Sequence, residues 1–321
     1  MNIELEDRWI SKHTMNKNKI ALIGCGIWGQ NILKELVKLD AEVHVYESDV
    51  SLHEKLINHG AKSFQTGLPA VEDHFGGVII ATPSSIHREI LEEISELELP
   101  VFLEKPLTIN LEDALALKNI PTDDIYLMHI WLYHPGIIML QDIVKSGELG
   151  KVHGVRSTRA NWTSPRKDTD SAWNLLPHDI TIAKAILGEI PRPISAVTEE
   201  HNGMIRGMTA LMGDDPFAVF EVSNRYERKI REVRIHCEKG VAILEDEKVD
   251  YIKVVFGDDK SDPKELKVEK RKFDKTPPLH FEVKEFLDYL DDGEPPRSNF
   301  SEGLEVIKTI HQLIELAEHK T

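Results

Sequence analysis

The stretch ALIGCGIWGQNILKEL (residues 21–36) joins a short apolar run to an amphipathic one through three glycines. Gly24, Gly26 and Gly29 stand in the spacing G-x-G-x-x-G. At a strand-to-helix junction the first glycine allows a tight turn, the second lets an anion approach the backbone, and the third permits close contact of helix and sheet. The first N–H groups of the helix then face that anion. Glycine triplets arise by chance, so the context decides. The next strand-like run, EVHVYE (residues 42–47), ends in Glu47, 18 residues after Gly29. A carboxylate ~20 residues beyond the glycines bonds both ribose hydroxyls of a bound dinucleotide. The same charge repels a 2′-phosphate, so NAD is expected in preference to NADP, and Lys55 and His53 lie too far along the chain to reverse this. Ile27 and Trp28, inside the turn, join the expected cofactor-binding residues.

The alternation continues outward from this motif. Helix-like segments at 27–39, 50–58 and 84–96 separate the strands KIALIG, EVHVYE, GGVIIATP and PVFLEKP, and DIYLMHI closes the series at 124–130. Short strands alternating with helices imply right-handed crossovers and a mostly parallel sheet. Beyond residue 130 the character changes. Helix-like runs at 135–147 and from Trp173 to Gly188 lead into a strand-rich stretch at 194–270, with turns at Gly203, Gly213, Gly240 and Gly257. Two closing helices are expected at 279–291 and 301–318. The predicted fold class is α/β: an N-terminal doubly wound parallel sheet over 19–128, and a C-terminal α+β domain over 129–321 built on a large, mostly antiparallel sheet. Residues 1–18 read as an extension, with a natural start at Met15 as one possibility.

Composition narrows the function classes. Asp and Glu outnumber Lys and Arg 55 to 39, a formal charge of -16, which argues against nucleic acid or an anionic membrane surface as partner. Cys25 and Cys237 are the only cysteines, poor material for a disulfide framework or a zinc site. The fifteen histidines are scattered, so no metal is expected. With no signal-like leader or apolar span, a cytoplasmic location is the expectation.

Two strand ends carry the chemistry. ATPSSIHREI (residues 81–90) closes the GGVIIATP strand with Thr82, Pro83 and, a turn later, His87. VFLEKPL (residues 101–107) ends the PVFLEKP strand with Glu104, Lys105 and Pro106. Lysine is costly to bury and proline cannot donate to a sheet ladder, so this triplet belongs just outside the sheet, where open α/β folds bind ligands. Together with the glycine motif, these residues strongly resemble the glucose-fructose oxidoreductase / inositol dehydrogenase / MocA family. That resemblance implies a Rossmann domain, NAD in contact with Thr82, Pro83, His87, Glu104 and Lys105, a cis bond before Pro106, and a catalytic role for Lys105 at the substrate oxygen.

The resemblance extends to the C-terminus. LYHP, SGELG, STRAN and WNLLPHDI, all within residues 132–188, look like the UDP-N-acetylglucosaminuronate 3-dehydrogenase branch. In that branch the last motif's histidine, here His178, works with the lysine. The branch commonly has aspartate where this chain has Asn174, which can bond the ring or a sugar hydroxyl but supplies no charge to stabilise an imidazolium. If 174–178 opens a helix, with Pro177 in its first turn, Asn174 and His178 share a face. Arg159, Arg166 and Lys167 cluster in an otherwise acidic chain and suit phosphates or carboxylates. Asn161 and Tyr133 complete the expected substrate-binding set, and Trp162 is a second candidate ring for stacking.

The resulting expectation is an NAD-dependent oxidoreductase acting on a secondary hydroxyl, or its ketone, of a sugar, most naturally a nucleotide-sugar. A free polyol or inositol dehydrogenase is the alternative within the class, and a catalytically weakened sugar or NAD sensor the alternative outside it. The resemblance also implies a homodimer or homotetramer.

Overall fold

Strand β1 (Asn16–Ile23) delivers the chain into the glycine turn, and α1 (Gly29–Lys38) carries it away. In the computed structural model, which describes residues 16–162 and 169–318, the first unit comprises residues up to Thr108 together with Glu112–Met128 and Leu279–Gly303. Its strands β1, β2 (Glu42–Tyr46), β3 (Ser63–Gln65), β4 (Phe75–Ile80), β5 (Val101–Glu104) and β6 (Ile125–Met128) are all parallel and run in the order 3-2-1-4-5-6. That order reverses between β1 and β4, which makes the C-terminal edge of those two strands the topological switch point. Helices α2 (His53–Asn58), α3 (His87–Ile94) and α4 (Leu111–Ala116) complete the crossovers. Every residue of β4 is buried, as a strand covered on both faces should be.

Two differences from the sequence expectation have local causes. Strand β1 begins at Asn16 rather than Lys19, because Asn16 still pairs with Phe75 across an irregularity before Ile20. Helix α7 (Pro278–Leu290) is expected with the C-terminal domain, yet from Leu279 onward it clusters with the first unit. Phe286 stacks on Phe102 with ring centroids 4.9 Å apart, and a Cβ at Gly77 would lie 3.0 Å from Phe286 and Leu290. The small residue in β4 is what lets the helix seat on the sheet, and burial of a phenylalanine there stabilises by about 1.5–3 kcal/mol.

The second unit holds residues 109–111, His129–Pro278 and Leu304 onward. Its sheet runs β14-β13-β12-β11-β7-β10-β9-β8, comprising β7 (Val152–Trp162), β8 (Pro193–His201), β9 (Met204–Met212), β10 (Phe217–Ser223), β11 (Arg225–Cys237), β12 (Gly240–Leu244), β13 (Tyr251–Phe256) and β14 (Lys267–Lys272). Only the β7–β10 pairing is parallel among the described strands of this sheet. One face is covered by α5 (Pro135–Ser146), α6 (Ser171–Leu187) and α8 (Phe300–Glu318). Alternation along the strands sends Met208, Ala210, Phe220 and Val222 into the core beneath α6 and α8, and Val155, Val233 and Ile235 beneath α5 and α6. Among the described residues no helix is long and apolar enough to cross a membrane, and no group of histidine, cysteine and carboxylate side chains could hold a metal ion.

Candidate functional site

The glycine turn has three different reasons for its three glycines. Gly24 adopts φ +82°, and a Cβ there would lie 2.7 Å from Thr82 Cγ2. At Gly29 a Cβ would lie 2.4 Å from the carbonyl oxygen of Gly24, so a side chain would push the helix off the turn. A Cβ at Gly26 would meet nothing within 4 Å. The protein itself does not need Gly26 bare; the open space is what a dinucleotide's pyrophosphate requires. Glu47 closes the turn from β2: its Oε2 accepts from the Cys25 amide at 2.7 Å and its Oε1 from the Asp49 amide at 3.0 Å. The carboxylate is thus held against the glycine turn, where an adenosine ribose would meet it. Burial, reinforced by Glu47, pushes the Cys25 thiol up to about 12, which keeps it protonated and unreactive at neutral pH. Ile27, 91% exposed, and the partly exposed Trp28 stand out from the turn, and Trp28 Nε1 donates to Glu104 Oε1.

Thr82, Pro83, Glu104 and Lys105 all sit at the C-terminal edge of β4 and β5, beside the switch point. Among the described residues the buried Thr82 Oγ1 has no hydrogen-bond partner, which leaves it to a bound group. The Lys105–Pro106 peptide is cis, and Lys105 is half-buried. His87 is fully buried, and its ring clamps backbone rather than facing outward. Its Nδ1 lies 3.0 Å from Pro106 O and its Nε2 3.3 Å from Thr82 O. The imidazole thus lies between the Thr82 carbonyl, after β4, and the turn that carries Lys105, and a single ring N–H donates to one of the two carbonyls. This glycine turn, the Glu47 carboxylate and the unsatisfied Thr82 hydroxyl fit a nicotinamide dinucleotide.

In the second unit His178 and Asn174 are one turn apart on α6, on a common face. The helix starts earlier than expected, at Ser171, because Asp170 caps it by accepting from the Trp173 amide at 3.1 Å. Pro177 consequently lies in the second turn rather than the first, and its missing N–H deprives the Trp173 carbonyl of its helical donor. His178 is buried. Tyr133, 1% exposed, is part of the interior. Arg159 points into the core as well, where Nε and Nη2 donate to both oxygens of Asp179 at 3.0–3.1 Å and the guanidinium lies 4.3 Å from the Trp131 ring centroid. Arg166 and Lys167 lie outside the described residues.

Asn161 and Asn174 line one open cleft of about 520 Å3. Its other wall is Asn224 and the start of β11, with Glu227, Arg228, Lys229 and Arg231. Ladder pairing there skips from Arg225↔Trp162 to Ile230↔Ala160, so residues 226–229 bulge out of the sheet. Sequence reasoning missed this wall. RYERKIREVR alternates charges as any solvated strand does, and nothing in the pattern separates Arg231, whose Cα partner is Arg159, from Arg234.

Comparison with known proteins agrees with this geometry. Residues 18–123 match the family model described as "Oxidoreductase family, NAD-binding Rossmann fold". The rhizopine catabolism protein MocA of Rhizobium meliloti is 26% identical over 150 residues, 43% of this chain and 46% of that protein, so the matched segment spans about half of that relative's length. Among solved structures, the UDP-N-acetylglucosamine 3-dehydrogenase GnnA from Acidithiobacillus ferrooxidans superposes with TM-score 0.78 at 19% identity, covering 94% of this chain and 98% of that one. A levoglucosan dehydrogenase in complex with NADH and levoglucosan superposes with TM-score 0.83 at 16% identity, covering 94% and 98%. At these identities the superpositions show the fold.

Proposed function

We propose, on the premise that residues 18–123 belong to the Gfo/Idh/MocA oxidoreductase family, that the protein interconverts a secondary hydroxyl and a ketone on a sugar with NAD, and that the sugar is nucleotide-linked. The observation that carries the reading is Lys105 at the end of β5, on the sheet edge that also presents the glycine turn and Glu47. Bound NAD supplies the hydride acceptor or donor. The Lys105 ammonium stabilises the alkoxide that develops as the hydroxyl loses its proton, the kind of electrostatic stabilisation that is often the largest single term in catalysis. His178 exchanges that proton. Asn174 orients the imidazole or a sugar hydroxyl and, being neutral, leaves His178 a weaker base than an aspartate would.

The nucleotide-linked substrate is supported by the likeness to GnnA, a UDP-N-acetylglucosamine 3-dehydrogenase, and by the cationic wall of the second unit's cleft. The likeness to the levoglucosan dehydrogenase supports an unlinked sugar instead. A panel of UDP-sugars and free sugars, followed by the appearance of reduced nicotinamide, tests the reading. Turnover of free sugars alone would move the assignment to a polyol dehydrogenase. NADH binding without turnover of any sugar would move it to a sensor, for which Asn174 is the motivating substitution. We further propose a homo-oligomer formed through the sheet face opposite α6, where Val197 and Leu211 are exposed. A monomeric mass in light scattering would count against it.

A further inference from the structure

The cleft of the second unit holds an imbalance of charge. Arg231 is half-buried, yet among the described residues its guanidinium donates only to neutral oxygens: Ala160 O at 2.8 Å, Ile230 O at 2.6 Å and Asn161 Oδ1 at 2.6 Å. Among the described residues no carboxylate lies within 4.0 Å of it. Its Cα partner across the sheet, Arg159, is paired with Asp179, so among the described residues only one of these two neighbouring arginines has a carboxylate in direct contact. A guanidinium withdrawn from water without a contacting anion is costly. Burial first, then the nearby Arg159, hold Arg231 down at about 10 against the weaker pull of the Glu247, Asp179 and Asp246 carboxylates.

The bulge adds further positive charge at the same place. Among the described carboxylates Arg228, with a 73% exposed side chain, approaches only Glu227, at 3.7 Å, while Lys229 is paired with Glu247. Asn224 presents a buried Oδ1 with no hydrogen-bond partner among the described residues. In a chain of formal charge -16 this is a local reversal of sign, and a volume of about 520 Å3 exceeds what a lone carboxylate or phosphate needs.

We propose that this cleft is the anion subsite of the substrate and takes the diphosphate of a nucleotide-linked sugar. Arg231 supplies the inner cation and Arg228 the outer one. The Asn161 amide nitrogen donates to an oxygen of the ligand, and Asn224 Oδ1 accepts from one of its hydroxyls. The inference rests on the oxidoreductase reading only for what the diphosphate is attached to.

The test is calorimetric titration of NADH-saturated protein with inorganic pyrophosphate and with uridine diphosphate, using wild type, Arg228→Ala and Arg231→Lys. Saturation with NADH keeps the probes off the glycine turn. Both probes should bind wild type, and each variant should weaken both by about tenfold or more, since lysine cannot reproduce the planar fork and alanine removes the outer charge. NADH affinity should not change. Uridine diphosphate binding that is equal in all three proteins, or absent from wild type, overturns the subsite. Sugar turnover without diphosphate binding would defeat the subsite and leave the oxidoreductase reading standing. Variant-sensitive binding without turnover of any sugar would uphold the subsite and defeat that reading.

Discussion

Arg159 and Asp179 form a closed ion pair, with both carboxylate oxygens taken by the guanidinium and side-chain exposures of only 3% and 1%. Removing one partner strands the other charge in the core. Asp179→Ala should therefore lower the unfolding free energy by about 3–5 kcal/mol, whereas Arg159→Met with Asp179→Leu should fall much closer to wild type. Denaturant unfolding of the three proteins checks this. Equal losses in the single and double variants would show that packing, not charge, is at stake.

The glycine turn predicts a split between stability and binding. Gly26→Ala meets no protein atom within 4 Å, so its stability should stay within about 0.5 kcal/mol of wild type while NADH binding weakens by about tenfold or more. Gly29→Ala drives a Cβ against the Gly24 carbonyl and should cost about 1–3 kcal/mol. Thermal unfolding and NADH titration separate the two effects. Unchanged NADH affinity in Gly26→Ala would remove the pyrophosphate from this turn.

Glu282 is fully buried in the first unit, and among the described residues neither carboxylate oxygen has a hydrogen-bond partner. Burial first, then the neighbouring Glu104 and Glu285 charges, raise its pKa well above the ordinary 4.5. The folded state thus holds a proton that the unfolded chain releases above that value, so this group's contribution to stability falls as pH rises past 4.5 toward the folded pKa. Glu282→Met should abolish that part of the pH dependence and stabilise the protein more at pH near 8 than at pH near 5. Unfolding curves at the two pH values decide it. A variant no more stable than wild type at the higher pH would contradict the assignment.

His87 is wedged between Pro106 O and Thr82 O, donating to a carbonyl there, and so supports the turn that carries Lys105. His87→Leu fills the space without the hydrogen bonds. It should lower kcat by about tenfold to a hundredfold, with a smaller change in the KM for sugar, because misplacing a catalytic group costs rate before it costs ground-state binding. A normal kcat would reduce His87 to a packing residue.

Much of this is legible in the sequence. The glycine spacing, the strand–helix alternation and Glu47 specify the first unit because each is a local backbone requirement. The second unit's sheet is legible from strand alternation and turn glycines, although the parallel β7–β10 pairing is not. Side-chain direction is the harder quantity. Arg159 reads as a ligand-binding cation in the linear chain, and only the packing of α6 on β7 shows that Asp179 claims it. Pro177 reads as a first-turn residue when the helix is started at Asn174, whereas the Asp170 cap begins the helix three residues earlier. Helix α7 gives no local sign of its destination, since its partners Phe102 and Tyr126 lie far away in the sequence.

The most direct test of the account is turnover by Lys105→Ala. With saturating NAD and a UDP-sugar that the wild type oxidises, the variant should lose about a hundredfold to a thousandfold in kcat, the scale of removing one electrostatic donor from a developing oxyanion. A variant that oxidises the same sugar at the wild-type rate would contradict the account at its centre.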